Sequence, residues 1–167
     1  MNAVLSFAGV GVALLVLWAN LRPWWKGGRD PKALIPYGTA LLLGLIATMC
    51  IGGLLGWGAA GIAGLVTHGS DKAVSAAAGT SSASMATSRL GALTAPGGVT
   101  ATAYFIGMII LWKGAGKQDK RRMLGGLITG AVLGFLPGVV LLLGWLPDTV
   151  NGIGEYVKGI FEGRVTV

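Results

Sequence analysis

Four stretches of this chain carry no charged residue, and they constrain its fold more than any other feature. Residues 1–21, 33–70, 90–112 and 123–147 contain no Lys, Arg, Asp or Glu. A helix of about 20 apolar residues crosses the hydrocarbon layer of a bilayer, so each stretch is long enough to span it. Only 11% of the residues are charged, against roughly 25% in soluble domains. The sequence therefore predicts an all-α integral membrane protein.

We expect one membrane domain, residues 1–167, built as a helical bundle of about four spans with both termini outside. The predicted spans are residues 2–21, 36–66, 96–112 and 123–146. A cleaved leader is the alternative for the first span, and a re-entrant or interfacial segment is the alternative for the third, which is short. Pro137 lies inside the fourth span and predicts a bend there, because proline removes a helix hydrogen bond.

Two further segments are expected outside the membrane. Residues 67–95 are rich in Ala, Ser, Thr and Gly, which fits either a mobile loop or a helix that becomes ordered only against a neighbour. Residues 148–163 place apolar side chains at helical spacing, with charged ones elsewhere around the helix. They predict a short amphipathic helix.

The net charge of +7 is concentrated in two short loops that flank the predicted spans. Their bases are Arg22, Lys26, Arg29 and Lys32 in the first loop, and Lys113, Lys117, Lys120, Arg121 and Arg122 in the second. Short basic loops beside apolar spans are retained in the cytoplasm, where anionic lipid headgroups are their partners. We therefore predict both loops on the inner face of a bacterial-type cytoplasmic membrane, in contact with lipid, and we expect no nucleic-acid partner.

Tryptophan supports these depths, because its amphipathic ring prefers the boundary between membrane and water. The six predicted interface anchors are Trp18, Trp24, Trp25, Trp57, Trp112 and Trp145.

Small residues recur at intervals of four in two of the spans. The series are Gly44, Thr48, Gly52, Gly56, Ala60 and Gly64 in the second span, and Gly126, Gly130, Gly134 and Gly138 in the fourth. Residues four apart share one face of a helix, so each series predicts a shallow groove where another helix backbone packs closely. The partner helix can belong to the same chain or to another subunit. We favour self-association, since two long grooves exceed what one four-span bundle needs.

The residues that membrane enzymes and ion-coupled transporters use are missing from the predicted spans. No ionisable acid or base lies inside them, and the single residues His68 and Cys50 have no companions that would complete a metal, haem or nucleophilic site. We predict a protein that is not an enzyme and that carries no cofactor and no metal.

These features favour a self-associating structural subunit of a membrane-embedded or membrane-derived assembly, such as a secretion, conjugation or phage-type apparatus. Two alternatives remain open. Residues 96–146 place two apolar helices around the basic loop 113–122, an arrangement that resembles conjugative pilins and would imply a filament subunit. A small channel, holin or transporter subunit is the other alternative, with polar residues such as Thr48, Thr100 and Thr102 along a narrow path.

Overall fold

The computed structural model describes residues 5–28, 31–80 and 83–164. Within them the chain forms seven α-helices: α1 (Phe7–Lys26), α2 (Ile35–Met49), α3 (Gly53–Ala78), α4 (Ala95–Gly114), α5 (Lys117–Leu133), α6 (Pro137–Leu142) and α7 (Leu146–Phe161). A 3-10 turn, Pro31–Leu34, leads into α2, and two short strands, β1 (Leu5–Ser6) and β2 (Ser84–Met85), pair antiparallel.

The predicted all-helical fold class is confirmed. Three helical segments are long and apolar enough to cross a membrane: Phe7–Lys26, Pro31–Met49 and Ala95–Gly114. Helix α5 is not among them, because it has only 17 residues and five of its first six are charged. Helix α3, Gly53–Ala78, is not among them either. The count of four spans and the side of the membrane on which each end lies stay predictions.

The second expected span, residues 36–66, is not one helix. Helix α2 ends at Met49 and α3 begins at Gly53. Gly52 and Gly53 between them adopt positive φ angles of 83° and 66°. A right-handed helix cannot continue through such a conformation, which glycine adopts readily.

The fourth expected span, residues 123–146, is divided as well. Helix α5 stops at Leu133, and the short α6 starts at Pro137, so Pro137 begins a new helix where the sequence predicted a bend. The division follows from proline chemistry, since the residue before a proline is pushed towards extended backbone. Leu136 has φ −79° and ψ 127°, which is extended. This span was the second arm of the pilin-like hairpin, which is therefore interrupted.

The segment expected outside, residues 67–95, is partly helical. Helix α3 runs on to Ala78, and after residues 81–82, which lie outside the described part, the chain has little regular structure besides β2 up to α4. The Ser88 amide there donates to the carbonyl of Phe135, 2.9 Å away, just beyond the end of α5. The expected amphipathic helix, residues 148–163, is α7, which begins two residues earlier.

Helices α2 and α5 form the most extensive helix pair and hold the centre of the bundle. A cluster of mostly small buried side chains joins α1, α2, α3 and α5, among them Ala13, Ala47, Ala59, Ala63 and Ala131. Small side chains let these helices approach closely.

Candidate functional site

Two helix backbones approach each other closely where glycines of α2 and α5 meet. A methyl group placed on Gly44 would lie 2.6 Å from the Leu127 carbonyl oxygen and 2.7 Å from the Ala131 amide nitrogen. The same addition at Gly126 would collide with the Tyr37 carbonyl, and at Gly130 with the Leu41 carbonyl. The two backbones therefore touch directly, and any side chain at these glycines would separate them.

The α2–α5 contact runs in parallel along both helices. Tyr37 lies against Gly126 at one end, and Thr48 lies against Gly134 at the other. There the Thr48 side chain occupies the space over the glycine, with its Oγ1 2.7 Å from where a Cβ would be. Of the residues predicted for helix packing, the structure thus brings together Gly44, Thr48, Gly126, Gly130 and Gly134 within one chain.

The other predicted packing residues do not join this interface. Gly52 lies in the turn between α2 and α3, and Gly56 packs on the carbonyl of Cys50 in that same turn. Ala60 and Gly64 lie on α3, while Gly138 belongs to α6 and is exposed. The break at residues 50–52 separates this half of the series from α2, because a continuous helix would have been needed to keep one face.

Several glycines of α3 have no packing partner within the described part of the chain. Within the described part of the chain, no atom outside the helix's own backbone lies within 4 Å of a methyl group added to Gly61, Gly64 or Gly69. Leu65 lies among them and is 76% exposed. We call these four residues the open α3 face.

The two predicted basic loops meet at one end of the bundle. The Arg122 guanidinium on α5 donates to the Ala33 carbonyl before α2, at 3.0 Å, and lies 3.7 Å from the Asp119 carboxylate. We call this the basic end; its described bases are Arg22, Lys26, Lys32, Lys113, Lys117, Lys120, Arg121 and Arg122. Arg29 lies outside the described residues.

The net charge of the described chain resides at this basic end. Its eight bases share it with one acid, Asp119. Elsewhere in the described residues four bases balance four acids: Lys72, Arg89, Lys158 and Arg164 against Asp71, Asp148, Glu155 and Glu162. An anionic surface would therefore be attracted to the basic end alone.

No protein-family model, curated protein or solved structure matches the chain. Its function is therefore inferred from contacts and chemistry.

Tryptophans surround the basic end. Trp18 and Trp25 on α1 are exposed, and the Arg22 guanidinium lies 4.8 Å from the ring centre of Trp18, within cation–π range. Trp24 packs edge-to-face on Trp25, and Trp112 is half-buried in the last turn of α4. The other two predicted anchors lie elsewhere, Trp57 on α3 and Trp145 before α7, and both are exposed.

A second glycine crossing, which the sequence reasoning missed, joins α4 to α7. A methyl group on Gly154 would collide with the backbone of Pro96 and lie 2.6 Å from the Gly97 nitrogen. Asn151 fixes this crossing, because its Oδ1 accepts from the Thr94 amide at 2.9 Å and its Nδ2 donates to the Ala92 carbonyl at 3.4 Å. The available signal was a cap residue, Thr94, before a proline and two glycines.

Proposed function

We propose that the chain is a non-enzymatic structural subunit that associates with copies of itself in a membrane, as part of a secretion, conjugation or phage-type apparatus. One observation carries the proposal. The glycines of α2 and α5 already have backbone against them, whereas the open α3 face has the same kind of residue and no partner within the described chain.

The physical reason is that lipid does not drive helices together. Helix association in a bilayer depends on van der Waals packing and on weak hydrogen bonds, and small residues at the interface increase both. A row of glycines without a packing partner makes few contacts with its surroundings and costs helix propensity, about 1 kcal/mol for each glycine relative to alanine. A second copy packed on the open α3 face would offset that cost.

The basic end supports the orientation that the proposal requires. Anionic headgroups attract each nearby Lys or Arg by about 1 kcal/mol, and basic segments are retained on the cytoplasmic side. We therefore place the basic end at the inner face of a bacterial-type cytoplasmic membrane. Every subunit would then share one orientation, which a symmetric ring or filament needs.

Cysteine crosslinking tests self-association. In a Cys50→Ser background, Gly64→Cys on the open α3 face should form an intermolecular disulfide in membranes. Gly11→Cys is the matched control, since Gly11 on α1 also has open space around it and lies at a similar depth, between Gly9, which faces Thr67, and Ala13, which clusters with Ala63. We expect a covalent dimer for Gly64→Cys and at least tenfold less for Gly11→Cys. Equal crosslinking of both, or none together with a monomeric native mass, would contradict the proposal.

A further inference from the structure

Two apolar cavities lie side by side between the helices next to the basic end. The first, about 190 Å³, lies between α2, α4 and α5, and Trp112 and Met123 are at its basic end. The second, about 270 Å³, lies between α2, α3 and α5. Leu43, Phe105 and Leu127 contact both. The two cavities therefore adjoin across these three side chains, and we call the pair of cavities the apolar groove.

The apolar groove has the length of an acyl chain. It follows α5 from Met123 to Ala131, which is about 12 Å at 1.5 Å per residue. The hydrocarbon of one leaflet is about 15 Å thick, half of a roughly 30 Å core. Ile109 and Leu124 at its rim are 42% and 48% exposed. The groove thus opens sideways, towards the lipid that a membrane would supply.

Basic side chains lie just beyond one end of the groove. Lys113 follows Trp112 directly, and Lys120 precedes the lining residue Leu124 by one helical turn. Lys120 is half-buried, with Lys117 one turn before it. The second cavity, by contrast, is lined by uncharged residues only. Charge and apolar lining are therefore arranged in the same order as the head and tail of an anionic lipid.

We propose that the apolar groove holds one acyl chain of an anionic phospholipid whose headgroup is bound by Lys113 and Lys120. An unfilled apolar groove forfeits van der Waals contacts along its lining, and a hydrocarbon chain restores them without bringing a polar group. A helix of a second copy, about 10 Å across, is too wide for cavities of this volume. Basic pockets between membrane helices bind anionic headgroups in the same way. This site does not depend on self-association.

Native mass spectrometry tests the site with phosphatidylglycerol and phosphatidylcholine of identical acyl chains. We expect one phosphatidylglycerol per chain to be retained, at least tenfold more than phosphatidylcholine. Gly58→Leu should abolish this retention, because position 58 lines the groove and has open space for the new side chain. Gly11→Leu on α1 is the matched control: it adds the same side chain at another glycine with open space, outside both the groove and the open α3 face, and should retain the lipid.

Variants of the two lysines test the contact with the lipid headgroup. The double variant Lys113→Gln, Lys120→Gln should lose the preference for phosphatidylglycerol, whereas Lys158→Gln on α7 should keep it. Equal retention by Gly58→Leu and Gly11→Leu would overturn the proposal, as would a preference that the double variant leaves unchanged. A dimer that Gly58→Leu dissociates would show that a second copy fills the groove, which also overturns it. The same spectra give the oligomer mass, so failure of the lipid site is separable from failure of self-association.

Discussion

The α2–α5 interface and the open α3 face both place glycines along a helix face, yet only the first is closed. Gly44 meets Gly130 of α5, whose added methyl group would lie 3.1 Å from the Gly44 Cα. Gly64 meets nothing in the described chain within 4 Å. The difference shows that repeated glycines predict a gap in the helix surface, but they do not say whether another helix packs into that gap. It is filled here along α5, where Gly126 and Gly130 lie against the backbone of α2 and Gly44 faces Gly130.

The largest expected effect is at the closed interface. Gly130→Ala places a methyl group against the Leu41 carbonyl, so α2 and α5 must separate along their length. We expect a loss of about 3 kcal/mol in the free energy of unfolding, at the upper end of the usual cost of overpacking. Denaturant titration in detergent micelles, followed by circular dichroism, measures it.

Gly138→Ala is the control for this variant, because Gly138 continues the same four-residue spacing but has no contact within 4 Å in the described chain. It should leave stability within about 0.5 kcal/mol of wild type. If Gly130→Ala and Gly138→Ala had the same effect, the close α2–α5 contact would be refuted.

A smaller effect is expected at the α4–α7 crossing. Gly154→Ala forces a methyl group onto the backbone of Pro96, but α7 packs mainly on α4, so it can shift with less disturbance of the α2–α5 interface. We expect a loss of about 1–2 kcal/mol and faster proteolysis of α7 in a time course followed by mass spectrometry. Gly152→Ala, on the same helix but in open space, should digest like wild type.

The smallest expected effect is a gain in the free energy of unfolding rather than a loss. Gly61→Ala on the open α3 face meets no atom within 4 Å in the described chain, so the gain in helix propensity is not offset by a clash. We expect about 1 kcal/mol of added stability when unfolding is measured in dilute detergent, where the chain is monomeric. A loss of stability there would show that the α3 face is already packed, and the contrast between the two regions would disappear.

The sequence predicts the helices well, because charge-free runs and basic loops report directly on where a chain can lie in lipid. The meeting of the two basic loops follows from the same pattern, and the Arg122 contact with Ala33 agrees with it. Three of the six tryptophans that were predicted as anchors, Trp18, Trp24 and Trp25, lie on one helix beside these bases.

The breaks were harder to predict, because hydropathy does not change where a helix ends inside an apolar run. The Gly52 and Gly53 pair was the available signal, since adjacent glycines commonly mark a turn. Gly52 was instead interpreted as part of a packing series, because Gly44, Gly56 and Gly64 lie at multiples of four residues from it. Around Pro137 the position of the disruption was predicted correctly, but its extent was underestimated, since extended backbone at Leu136 separates two helices.

The pairing of particular helices was not predictable from the pattern. The sequence left open whether the partner of each groove lay in the same chain, and favoured another subunit. The structure pairs α2 with α5 inside the chain through Gly44, Gly126 and Gly130. Choosing among partners requires the depth and rotation of every helix, which a repeat of four residues does not contain.

The parallel course of α2 and α5 has a consequence for biosynthesis. Two neighbouring helices that point the same way need a long intervening stretch, and here the contacting glycines are Gly44 and Gly130, with α3 and α4 between them. At a translation rate of about 5–20 residues per second, the ribosome takes roughly 4–17 s to travel from one to the other. Throughout that interval the surface of the nascent α2 around Gly44 has no α5 to pack against.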